Sequence, residues 1–486
     1  MTQSLPAPTT FDSLPLSPEL IQMTKDLGFS AMTEIQAKSI PLLLQGMDVI
    51  GQSKTGSGKT AAFTIPILQK LVNLKLDLQR QVKLHAVVLC PTRELCAQVT
   101  REIRKLGRGH SGLQVLPLAG GTPMLPQTRA LEQGVHIIVG TPGRVLDHLS
   151  KKTLNLSEVS TLVLDEADRM LDMGFEEEMR TLLQHLPEER QTVLFSATFP
   201  KSIENLSAAN QKNPVHIKVE NTETTAAIQE VYLEVEDSEN QDTQFENRLK
   251  GLLWALAYYQ PETSIVFCNF KASAGDLAKE LRRYGVDASP LHGDLEQPER
   301  DSIMAKFRNG SIRVLVATDV AARGIDIPDL DFVVNFEIPK QADLYTHRIG
   351  RTGRAGKTGI ALTLAFPNQV SSLKKFESST EKTFEALEPE HPLSDISWDE
   401  FKAELRQSAR MQTLFVSGGR KNKIRPTDIL GALTGEAGLK GSEVGKIEIH
   451  DFFTYVAVAK DQFKNAMVRL QNGKIKGRRF RIEIAS

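Results

Sequence analysis

The chain has 486 residues, of which 40% are hydrophobic and 24% are charged, proportions that are ordinary for a globular protein. This length exceeds what one hydrophobic core supports, so we expect about two to four domains. The sequence has no apolar run near the roughly 18 residues that indicate a membrane span, and its polar, proline-rich N-terminus predicts no secretory signal. Three cysteines without metal-ligand spacing (Cys90, Cys96 and Cys268) predict reduced thiols in a cytoplasmic protein without a zinc site.

The net charge of −1 conceals a difference between the two ends of the chain. Residues 409–486 contain 15 Lys and Arg against 7 Asp and Glu, a charge of +8, so the first 408 residues carry −9. A basic segment on an acidic body is typical of nucleic-acid binding. The alternative is a solvated basic face without a partner.

A glycine-rich stretch, residues 53–60, follows the apolar segment Asp48-Val49-Ile50 and leads into a predicted helix. A strand, a glycine turn and a helix in this order form a cradle for phosphate, because free N–H groups at the helix start point towards an anion. Lys59 would reach the terminal phosphates, and the Thr60 hydroxyl would ligate Mg²⁺. The strict pattern has glycine where this chain has Ser53, and a chance glycine turn is the alternative. The cradle residues are Ser53, Thr55, Gly56, Ser57, Gly58, Lys59 and Thr60.

Short apolar strands alternate with amphipathic helices from about Phe11 to Val219, which is the pattern of a parallel sheet covered on both faces. In such sheets, ligands bind beyond the carboxyl ends of the strands. The predicted strands are Val49-Ile50, Ala86–Leu89, Val115–Leu118, His136–Val139, Thr161–Leu164, Thr192–Phe195 and Val215–Val219.

Two carboxylates, Asp165 and Glu166, directly follow the predicted strand Thr161–Leu164. Carboxylates here are costly to bury unless a cation meets them, and beside a phosphate cradle the expected cation is the Mg²⁺ of a nucleotide. Asp165 would hold the ion through water, and Glu166 would orient and deprotonate the attacking water. A structural ion pair is the alternative. After the next strand, Ser196-Ala197-Thr198 would supply two hydroxyls that join these carboxylates to the sheet.

The cradle, Asp165-Glu166-Ala167-Asp168 and Ser196-Ala197-Thr198, in this order, resemble the motifs of the DEAD-box family of ATP-dependent RNA helicases. The resemblance implies ATP and Mg²⁺ as cofactors and RNA as the substrate. At Ser53 the family usually has alanine, which is a small change.

The segment from Gly28-Phe29 to Ile35-Gln36 resembles the nucleotide-selecting motif of the same family. The resemblance implies that Gln36 reads the adenine edge, since an amide both donates and accepts hydrogen bonds, with Phe11 as the upstream aromatic. Glu34 stands where the family usually has proline, which leaves the stiffness of this loop open.

Three further segments of the first domain, residues 91–95, 120–121 and 141–144, resemble the RNA-contacting motifs of the family. Their hydroxyls, arginines and exposed glycine N–H groups suit a sugar-phosphate backbone and carry no base sequence. Each segment alone is also compatible with an ordinary strand-to-helix turn. The residues implied to contact RNA are Arg93, Gly121, Thr141 and Arg144.

After a polar linker at residues 220–226, strands and helices alternate again from about Ala227 to Leu387. This part has no second phosphate cradle, so we expect it to close on the nucleotide that the first lobe binds. The predicted strands are Ser264–Cys268, Ala288–Leu291, Arg313–Ala317, Phe332–Asn335 and Gly359–Ala365.

Arg348 and Arg351 lie three residues apart, a spacing that predicts one helical face. The family resemblance implies that both are arginine fingers for the γ-phosphate, whereas a cluster of solvated arginines is the alternative. It also implies that Asp326 touches the ribose or links to the fingers, and that Thr318 and Arg323 face RNA. In the family, ATP and RNA together close the two lobes, closure bends one RNA strand, and hydrolysis releases it.

The C-terminal segment has the strand and helix order βαββαβ, which is that of the RNA-recognition fold, whose open sheet face stacks bases. Phe415, Phe453 and Tyr455 fall at the aromatic positions of this fold, although packing at the sheet edge is the alternative. Asp451 stands where the fold's pattern has a basic residue. The predicted elements are Thr413–Val416, Pro426–Leu433, Lys446–Ile449, Tyr455–Val458, Lys460–Leu470 and Phe480–Ile484.

Four stretches of this segment (residues 418–426, 429–435, 445–447 and 473–477) resemble the tail of a bacterial branch of the DEAD-box family. The resemblance implies that the tail grips a hairpin of large-subunit, 23S-type ribosomal RNA and directs the helicase to pre-50S particles. The RNA contacts expected in the tail are Phe415, Arg420, Lys421, Lys423 and Tyr455.

We therefore predict an α/β chain with two RecA-like parallel-sheet lobes and a C-terminal α+β, RNA-recognition-like domain. The expected boundaries are lobe 1 at 1–219, a linker at 220–226, lobe 2 at 227–387, a linker and helix at 388–411 and the tail domain at 412–486. The expected function is RNA-stimulated ATP hydrolysis that separates short RNA duplexes, by a cytoplasmic monomer without a membrane partner. Two rivals are an RNA clamp or annealing protein and a DNA helicase, and the tail and Gln36 argue against the DNA helicase.

Overall fold

The computed structural model describes residues 10–53, 56–74, 82–219, 228–322, 330–353, 358–377, 383–393, 396, 405, 409–436 and 438–485. The described residues form two compact units, one that ends at Val219 and one that begins at Ile228. The first unit is lobe 1, and the second contains lobe 2 and the tail domain.

The strands of lobe 1 are short, apolar and rich in β-branched residues, which favours a sheet that is buried on both faces. They are β1 Val49–Gln52, β2 Ala86–Leu89, β3 Val115–Leu118, β4 Ile137–Gly140, β5 Thr161–Leu164, β6 Gln191–Ser196 and β7 Val215–Lys218. All seven are parallel, in the order β3-β4-β2-β5-β6-β1-β7. The strand β1, which precedes the cradle, therefore lies beside β6 and next but one to β5, which precedes the two carboxylates.

Nine helices of lobe 1 cover the two faces of this sheet within the described residues. They are α1 Pro18–Asp26, α2 Glu34–Leu44, α3 Lys59–Asn73, α4 Arg93–Leu106, α5 Met124–Glu132, α6 Pro142–Ser150, α7 Ala167–Asp172, α8 Glu176–Leu183 and α9 Lys201–Asn210. Alternate residues of β2 belong to two different cores: Val88 lies in the same buried cluster as Phe63 of α3, whereas Val87 lies in the same cluster as Met170 of α7. The sheet is thus a buried layer between helices, as the sequence predicts.

Lobe 2 repeats this architecture with seven parallel strands in the order β10-β11-β9-β12-β13-β8-β14. The strands are β8 Ile228–Glu234, β9 Ser264–Cys268, β10 Ala288–Leu291, β11 Val314–Thr318, β12 Phe332–Asn335, β13 Gly359–Ala365 and β14 Glu385–Leu387. The helices are α10 Gln241–Tyr259, α11 Lys271–Arg283, α12 Gln297–Arg308, α13 Asp319–Ala322, α14 Ala342–Ile349 and α15 Pro367–Lys374. Strands β8 and β14 were not predicted from the sequence, and the predicted linker at 220–226 lies outside the described residues.

The tail domain has one antiparallel sheet of four strands in the order β16-β17-β15-β18. Its elements are β15 Met411–Val416, α16 Pro426–Gly431, β16 Val444–Ile449, β17 Thr454–Ala459, α17 Phe463–Asn472 and β18 Ile482–Ile484. The order βαββαβ confirms the predicted fold class. Of the helix predicted within 388–411, the described part is too small to compare.

One face of the tail sheet packs against helix α12 of lobe 2. Tyr455 and Ala485 are buried against Ala305, and Phe415 and Phe453 pack on the same cluster. At the edge of this contact, Arg308 pairs with Glu448, and the Asn309 side chain donates to the Thr413 hydroxyl at 2.9 Å. The tail domain and lobe 2 therefore share an apolar contact with a polar rim, which explains why they belong to one compact unit.

Within the described part of the chain, the longest apolar stretches of helix fall short of what a membrane crossing requires. The thiols of Cys90, Cys96 and Cys268 are buried, and none of the three forms a disulfide.

Candidate active site

The cradle of lobe 1 depends on two glycines in the left-handed region of backbone conformation, Gly56 at φ 83° and Gly58 at φ 91°. Gly58 also caps helix α3, and a Cβ atom there would lie 2.4 Å from Nε2 of Gln36. Glycine adopts this backbone conformation without strain, and at position 58 the absence of a side chain also leaves room for Gln36. The turn therefore brings backbone N–H groups and the start of α3 to one point, as a phosphate site requires.

Polar contacts across the cradle hold it in its present shape. The Lys59 ammonium donates to the Ser53 carbonyl at 3.0 Å, and the hydroxyls of Ser53 and Ser57 lie 2.9 Å apart. Alanine at position 53 would lack this hydroxyl contact. Of the predicted cradle residues, Thr55 lies outside the described residues, and Thr60 is half-buried in the first turn of α3.

Gln36 lies against the cradle with both ends of its amide engaged. Its Nε2 donates to the Gly58 carbonyl at 3.0 Å, and its Oε1 accepts from the Thr33 N–H at 3.0 Å. An adenine bound here would therefore have to exchange these contacts for its own. Phe11 is buried in the core with its ring centroid 6.0 Å from that of Phe29, so it supports this region from within the core.

Asp165 and Glu166 lie at the carboxyl end of β5 and are both buried. The Oδ1 atom of Asp165 is buried and has no hydrogen-bond partner. Burial raises the pKa of Asp165 to about 6, the positive charge of Lys59 opposes this shift, and the negative charge of Glu166 adds to it. A buried carboxylate oxygen without a donor, close to a lysine and the phosphate cradle, is suited to meet a cation.

The residues around Asp165 match the ligand preferences of Mg²⁺, which takes hard oxygen ligands and keeps several waters. The unpaired Oδ1 of Asp165 is such an oxygen ligand, and Thr60 carries a hydroxyl in the first turn of α3. No group of three or more His, Cys, Asp or Glu side chains that could hold a metal occurs in the described portion of the chain. An ion at this site would therefore take its remaining ligands from water and nucleotide phosphate.

The backbone at Glu166 is strained, with φ 53° and ψ 51°, in a region that few residues other than glycine adopt. Its carboxylate accepts from Nη1 of Arg169 at 3.0 Å, and both side chains are buried. Arg169 therefore fixes the direction of the Glu166 side chain. The sequence analysis missed this residue, although its position one helical turn after Glu166 is the spacing of a helical ion pair.

Asp168 connects the carboxylate segment to Ser196-Ala197-Thr198. Its Oδ2 accepts from the N–H groups of Ala197 and Thr198 at 3.1 and 2.9 Å, and from the Thr198 hydroxyl at 2.9 Å. The Ser196 hydroxyl instead donates to the Thr198 carbonyl at 2.6 Å. The two hydroxyls were predicted to join Asp165 and Glu166 to the sheet, but that of Thr198 bonds Asp168 instead, and that of Ser196 supports its own turn.

The predicted RNA-contacting segments of lobe 1 lie after β2, β3 and β4, at the same edge of the sheet. The exposed Arg93 guanidinium lies on Gly120-Gly121, and a Cβ atom at Gly121 would lie 1.9 Å from Nη1 of Arg93. Thr141 is the N-cap residue of α6, and its N–H donates to the Leu118 carbonyl at 3.0 Å. Glycine at position 121 is thus required for the position of Arg93.

Arg144 is held by a side chain of α5 and by a carbonyl of the turn that precedes α5. Its Nη1 donates to the Thr122 carbonyl at 3.0 Å and to Oε1 of Gln127 at 2.9 Å. The buried His148 ring lies 3.0 Å from the same Gln127 oxygen, and burial lowers the pKa of His148. Gln127, on α5, is a positioning residue for which the sequence contained no signal, because it precedes Arg144 by 17 residues.

Arg348 differs from the expectation of an arginine finger. All five N–H donors of its guanidinium are used inside lobe 2: by the Asp319 carboxylate, by the Asn335 and Asn269 side chains, and by the Glu337 carbonyl. The side chain is 1% exposed. Arg348 therefore has no donor left for a phosphate in this structure, and it ties α14 to the ends of β9, β11 and β12.

Arg351 and Thr318 are the remaining described candidates of lobe 2. Arg351 follows α14, is buried, and accepts from the Leu330 N–H through its backbone carbonyl at 3.2 Å. Thr318 ends β11 and is half-buried. The other two candidates, Arg323 and Asp326, lie outside the described residues.

With this geometry in view, three segments of the chain match known protein families. Residues 33–206 match the DEAD/DEAH box helicase family, residues 247–356 the helicase conserved C-terminal domain, and residues 413–484 the DbpA RNA binding domain. The chain is 42% identical over 477 residues to the ATP-dependent RNA helicase DbpA of Escherichia coli, covering 98% of this chain and 99% of that protein. The chain belongs to the DEAD-box family of ATP-dependent RNA helicases.

Other relatives of this DEAD-box helicase match the two lobes. The DEAD-box ATP-dependent RNA helicase CshA of Geobacillus kaustophilus is 46% identical over 382 residues, covering 78% of this chain and 79% of that protein. The solved structure of S. cerevisiae Dbp5 bound to RNA and ADP BeF3 is 31% identical with a TM-score of 0.66, covering 82% of this chain and 99% of that chain. These matches confirm the predicted family and enzyme class.

The predicted RNA contacts in the tail of this DEAD-box helicase differ in exposure, and the aromatic ones are buried or half-buried. Tyr455 is 5% exposed and lies against Ala305, and Phe415 is half-buried, with ring centroids 5.7 Å from Phe453 and 5.9 Å from Tyr455. The structure therefore does not offer Tyr455 on an open face, because helix α12 covers it. The sequence analysis had kept packing as the alternative for these aromatics.

The predicted basic contacts of the tail are all exposed. Arg420, Lys421 and Lys423 lie on a short 3₁₀ turn between β15 and α16. Lys423 adopts a left-handed conformation at φ 61°, and its carbonyl accepts from the Lys476 ammonium at 2.7 Å. The structure thus joins this turn to the second basic loop, residues 473–479.

Proposed function

We propose that this DEAD-box helicase hydrolyses ATP at the cradle of lobe 1, with Lys59 on the terminal phosphates and Thr60 and Asp165 holding Mg²⁺. The buried, unpartnered Oδ1 atom of Asp165 is the observation that carries this proposal. Bound Mg²⁺ would neutralise charge that develops on the phosphate oxygens. Glu166, aimed by Arg169, orients the attacking water and takes its proton.

Recognition of the nucleotide and of RNA belongs to the same proposal. Gln36 reads adenine after it releases Gly58, and Phe11 supports this region from the core. Arg351, with Asp326, serves the γ-phosphate and ribose, whereas Arg348 holds the helix that carries Arg351. The residues proposed to contact the RNA backbone are Arg93, Gly121, Thr141, Arg144, Thr318 and Arg323.

We further propose that the tail directs the helicase to a hairpin of 23S-type ribosomal RNA in pre-50S particles, so that local strand separation serves ribosome assembly. The DbpA-type RNA-binding domain, the +8 charge of residues 409–486 and the exposed turn with Arg420, Lys421 and Lys423 support this assignment. The division into lobe 1, linker, lobe 2, second linker and tail at the predicted boundaries, a cytoplasmic location and a monomeric state complete the proposal.

Two assays on the full chain test this function. The ATPase rate is measured without nucleic acid and with DNA, unrelated RNA or a large-subunit ribosomal RNA fragment, and each RNA is also tested for strand displacement. We expect stimulation by RNA but not by DNA, the strongest stimulation by the ribosomal fragment, and displacement of short duplexes. Stimulation without displacement would indicate an RNA clamp, and equal stimulation by DNA would indicate a general helicase.

A further inference from the structure

The hairpin between β16 and β17 has an aromatic residue at its tip. The His450 N–H donates to the Phe453 carbonyl at 2.8 Å, which closes the turn around Asp451 and Phe452. Such tight turns usually carry glycine, asparagine or aspartate. Phe452 is instead 69% exposed, so the chain places a large apolar ring where it contributes nothing to the core.

Neighbouring rings fix the conformation of this turn and leave Phe452 outside. The rings of His450 and Phe453 stack with centroids 4.5 Å apart, and Phe453 makes an edge contact with Tyr455 at 5.3 Å. The turn is therefore held to the aromatic face of the sheet through Phe453. Of the described tail residues, Phe452 is the one phenylalanine or tyrosine that is exposed.

The basic turn that carries Arg420 and Lys421 is bonded to the same hairpin. The N–H groups of Arg420 and Lys421 donate to the carbonyls of His450 and Asp451, both at 2.9 Å. Gly419 permits this approach, because a Cβ atom there would lie 2.3 Å from the His450 carbonyl oxygen. An exposed aromatic ring and a row of exposed cations thus form one rigid surface, although Asp451 pairs with Arg420 at 3.6 Å.

The sheet face, where an RNA-recognition fold normally stacks bases, does not offer its buried tyrosine. Tyr455 is covered by Ala305 and hydrogen bonds with Ser302, both on helix α12. The exposed aromatic ring of the tail is therefore that of Phe452 at the hairpin tip, and not that of Tyr455 on the sheet face.

We propose that Phe452 stacks on an unpaired base of the RNA whose backbone phosphates contact Arg420, Lys421 and Lys423. The charge of the turn is complementary to the RNA backbone, and a ring beside such cations is the usual arrangement for binding single-stranded RNA. The ligand is an unpaired nucleobase in a loop or at a duplex end. This inference rests on the proposed function, since it names the surface through which the tail holds its RNA.

The test measures binding of the full chain, without ATP, to a labelled hairpin of large-subunit ribosomal RNA and to the same hairpin with abasic loop nucleotides. On the intact hairpin, Phe452→Leu should raise Kd by roughly 5- to 150-fold, the usual range for one stacked base, without changing the salt dependence of Kd. Lys421→Ala should instead reduce the slope of log Kd against log salt by about 1. On the abasic hairpin, Phe452→Leu and the unmodified chain should bind equally.

Two matched variants separate stacking from folding and from general loss of apolar surface. Phe452→Trp keeps an aromatic ring and should retain the unmodified Kd. Val468→Ala removes part of a side chain that is 53% exposed on α17, and it should also leave Kd unchanged.

An unchanged Kd for Phe452→Leu on the intact hairpin would overturn the proposal, as would an equal loss on the abasic hairpin. Failure of the targeting function gives a different result: the unmodified chain would bind the ribosomal hairpin and an unrelated RNA of equal length equally well. In that case a Phe452→Leu effect on the unrelated RNA still supports stacking, and no effect overturns it.

Discussion

The buried Arg348 and the partly buried Asp319 form a two-bond ion pair in lobe 2, with Nε of Arg348 2.7 Å from Oδ1 and Nη2 2.6 Å from Oδ2 of Asp319. The pair joins helix α14 to the helix that follows β11. Since Asn269, Asn335 and the Glu337 carbonyl take the remaining donors, the guanidinium belongs to the interior of the lobe. These contacts hold α14 in place, and in our proposal Arg351, and not Arg348, serves the γ-phosphate.

Replacing Arg348 should first affect stability. Arg348→Ala leaves the Asp319 charge and two amide oxygens without their donor, so we expect the free energy of unfolding to fall by about 3–5 kcal/mol. The measurement is denaturant unfolding of the full chain. Arg283→Ala, at an arginine that is 70% exposed in the same lobe, serves as control and should change stability by less than about 0.5 kcal/mol. A stable Arg348→Ala variant with slow hydrolysis would restore Arg348 as a finger.

Glu166→Gln should stop turnover and retain nucleotide binding, because it removes the proposed base and leaves Lys59 and Asp165 in place. Loss of a general base typically slows a reaction by about 10²- to 10⁴-fold. RNA-stimulated ATPase rates and binding of a fluorescent ATP analogue provide the two measurements. Glu176→Gln, at an exposed position of lobe 1, is the control. Normal steady-state hydrolysis by Glu166→Gln would contradict the assignment.

Asp165→Asn should make the nucleotide-free chain more stable while abolishing hydrolysis. Burial raises the pKa of Asp165 to about 6, which means that the folded protein destabilises its charged form at neutral pH. Asparagine removes that charge, so we expect a gain of up to about 3 kcal/mol, which corresponds to the rise of the Asp165 pKa from 3.8 to about 6. The measurement is unfolding at pH 7 with EDTA and without nucleotide. A loss of stability would show that Lys59 already compensates the charge.

The two lobes and the phosphate cradle could be predicted from the sequence because each depends on local patterns, namely β-branched strands, alternating helices and glycines at fixed spacing. Strand β14 was missed because it has only three residues, none of them fully buried, and β8 because its partly exposed pattern follows a polar linker. The burial of Arg348 depends on partners 11 to 79 residues away, and that of Tyr455 on a helix about 150 residues upstream. Such long-range contacts leave no local pattern in one sequence.

The contact between lobe 2 and the tail should weaken in acid. Glu448 is partly buried, which raises its pKa, but hydrogen bonds from Arg308 at 2.9 and 2.7 Å and the nearby Lys446 lower the pKa below its ordinary 4.5. A lowered carboxyl pKa stabilises the folded state above pH 4.5, and this stabilisation is lost as pH falls from 4.5 through the lowered pKa.

Glu448→Gln should therefore reduce stability at pH 7 and make stability less sensitive to pH below 4.5, as measured by thermal unfolding across this range. A double-mutant cycle with Arg308→Met should give a coupling of about 0.5–3 kcal/mol. A coupling near zero would show that this ion pair does not hold the tail, which would leave the other contacts, such as Ala305 with Tyr455 and Asn309 with Thr413, to do so.

Targeting and catalysis should separate when the basic turn is neutralised in the full chain. Changing Arg420, Lys421 and Lys423 together to serine should leave ATPase stimulation by unrelated RNA intact, because every proposed catalytic group lies in the two lobes. The preference for large-subunit ribosomal RNA should disappear, since backbone contacts in the lobes carry no base sequence. Binding of the ribosomal fragment should also become less sensitive to salt, because fewer counterions are released.

A control with the same change of charge uses the exposed residues Lys201, Lys279 and Lys374. If the triple variant of the turn still selects ribosomal RNA over an unrelated RNA of equal length, the turn is not the targeting element.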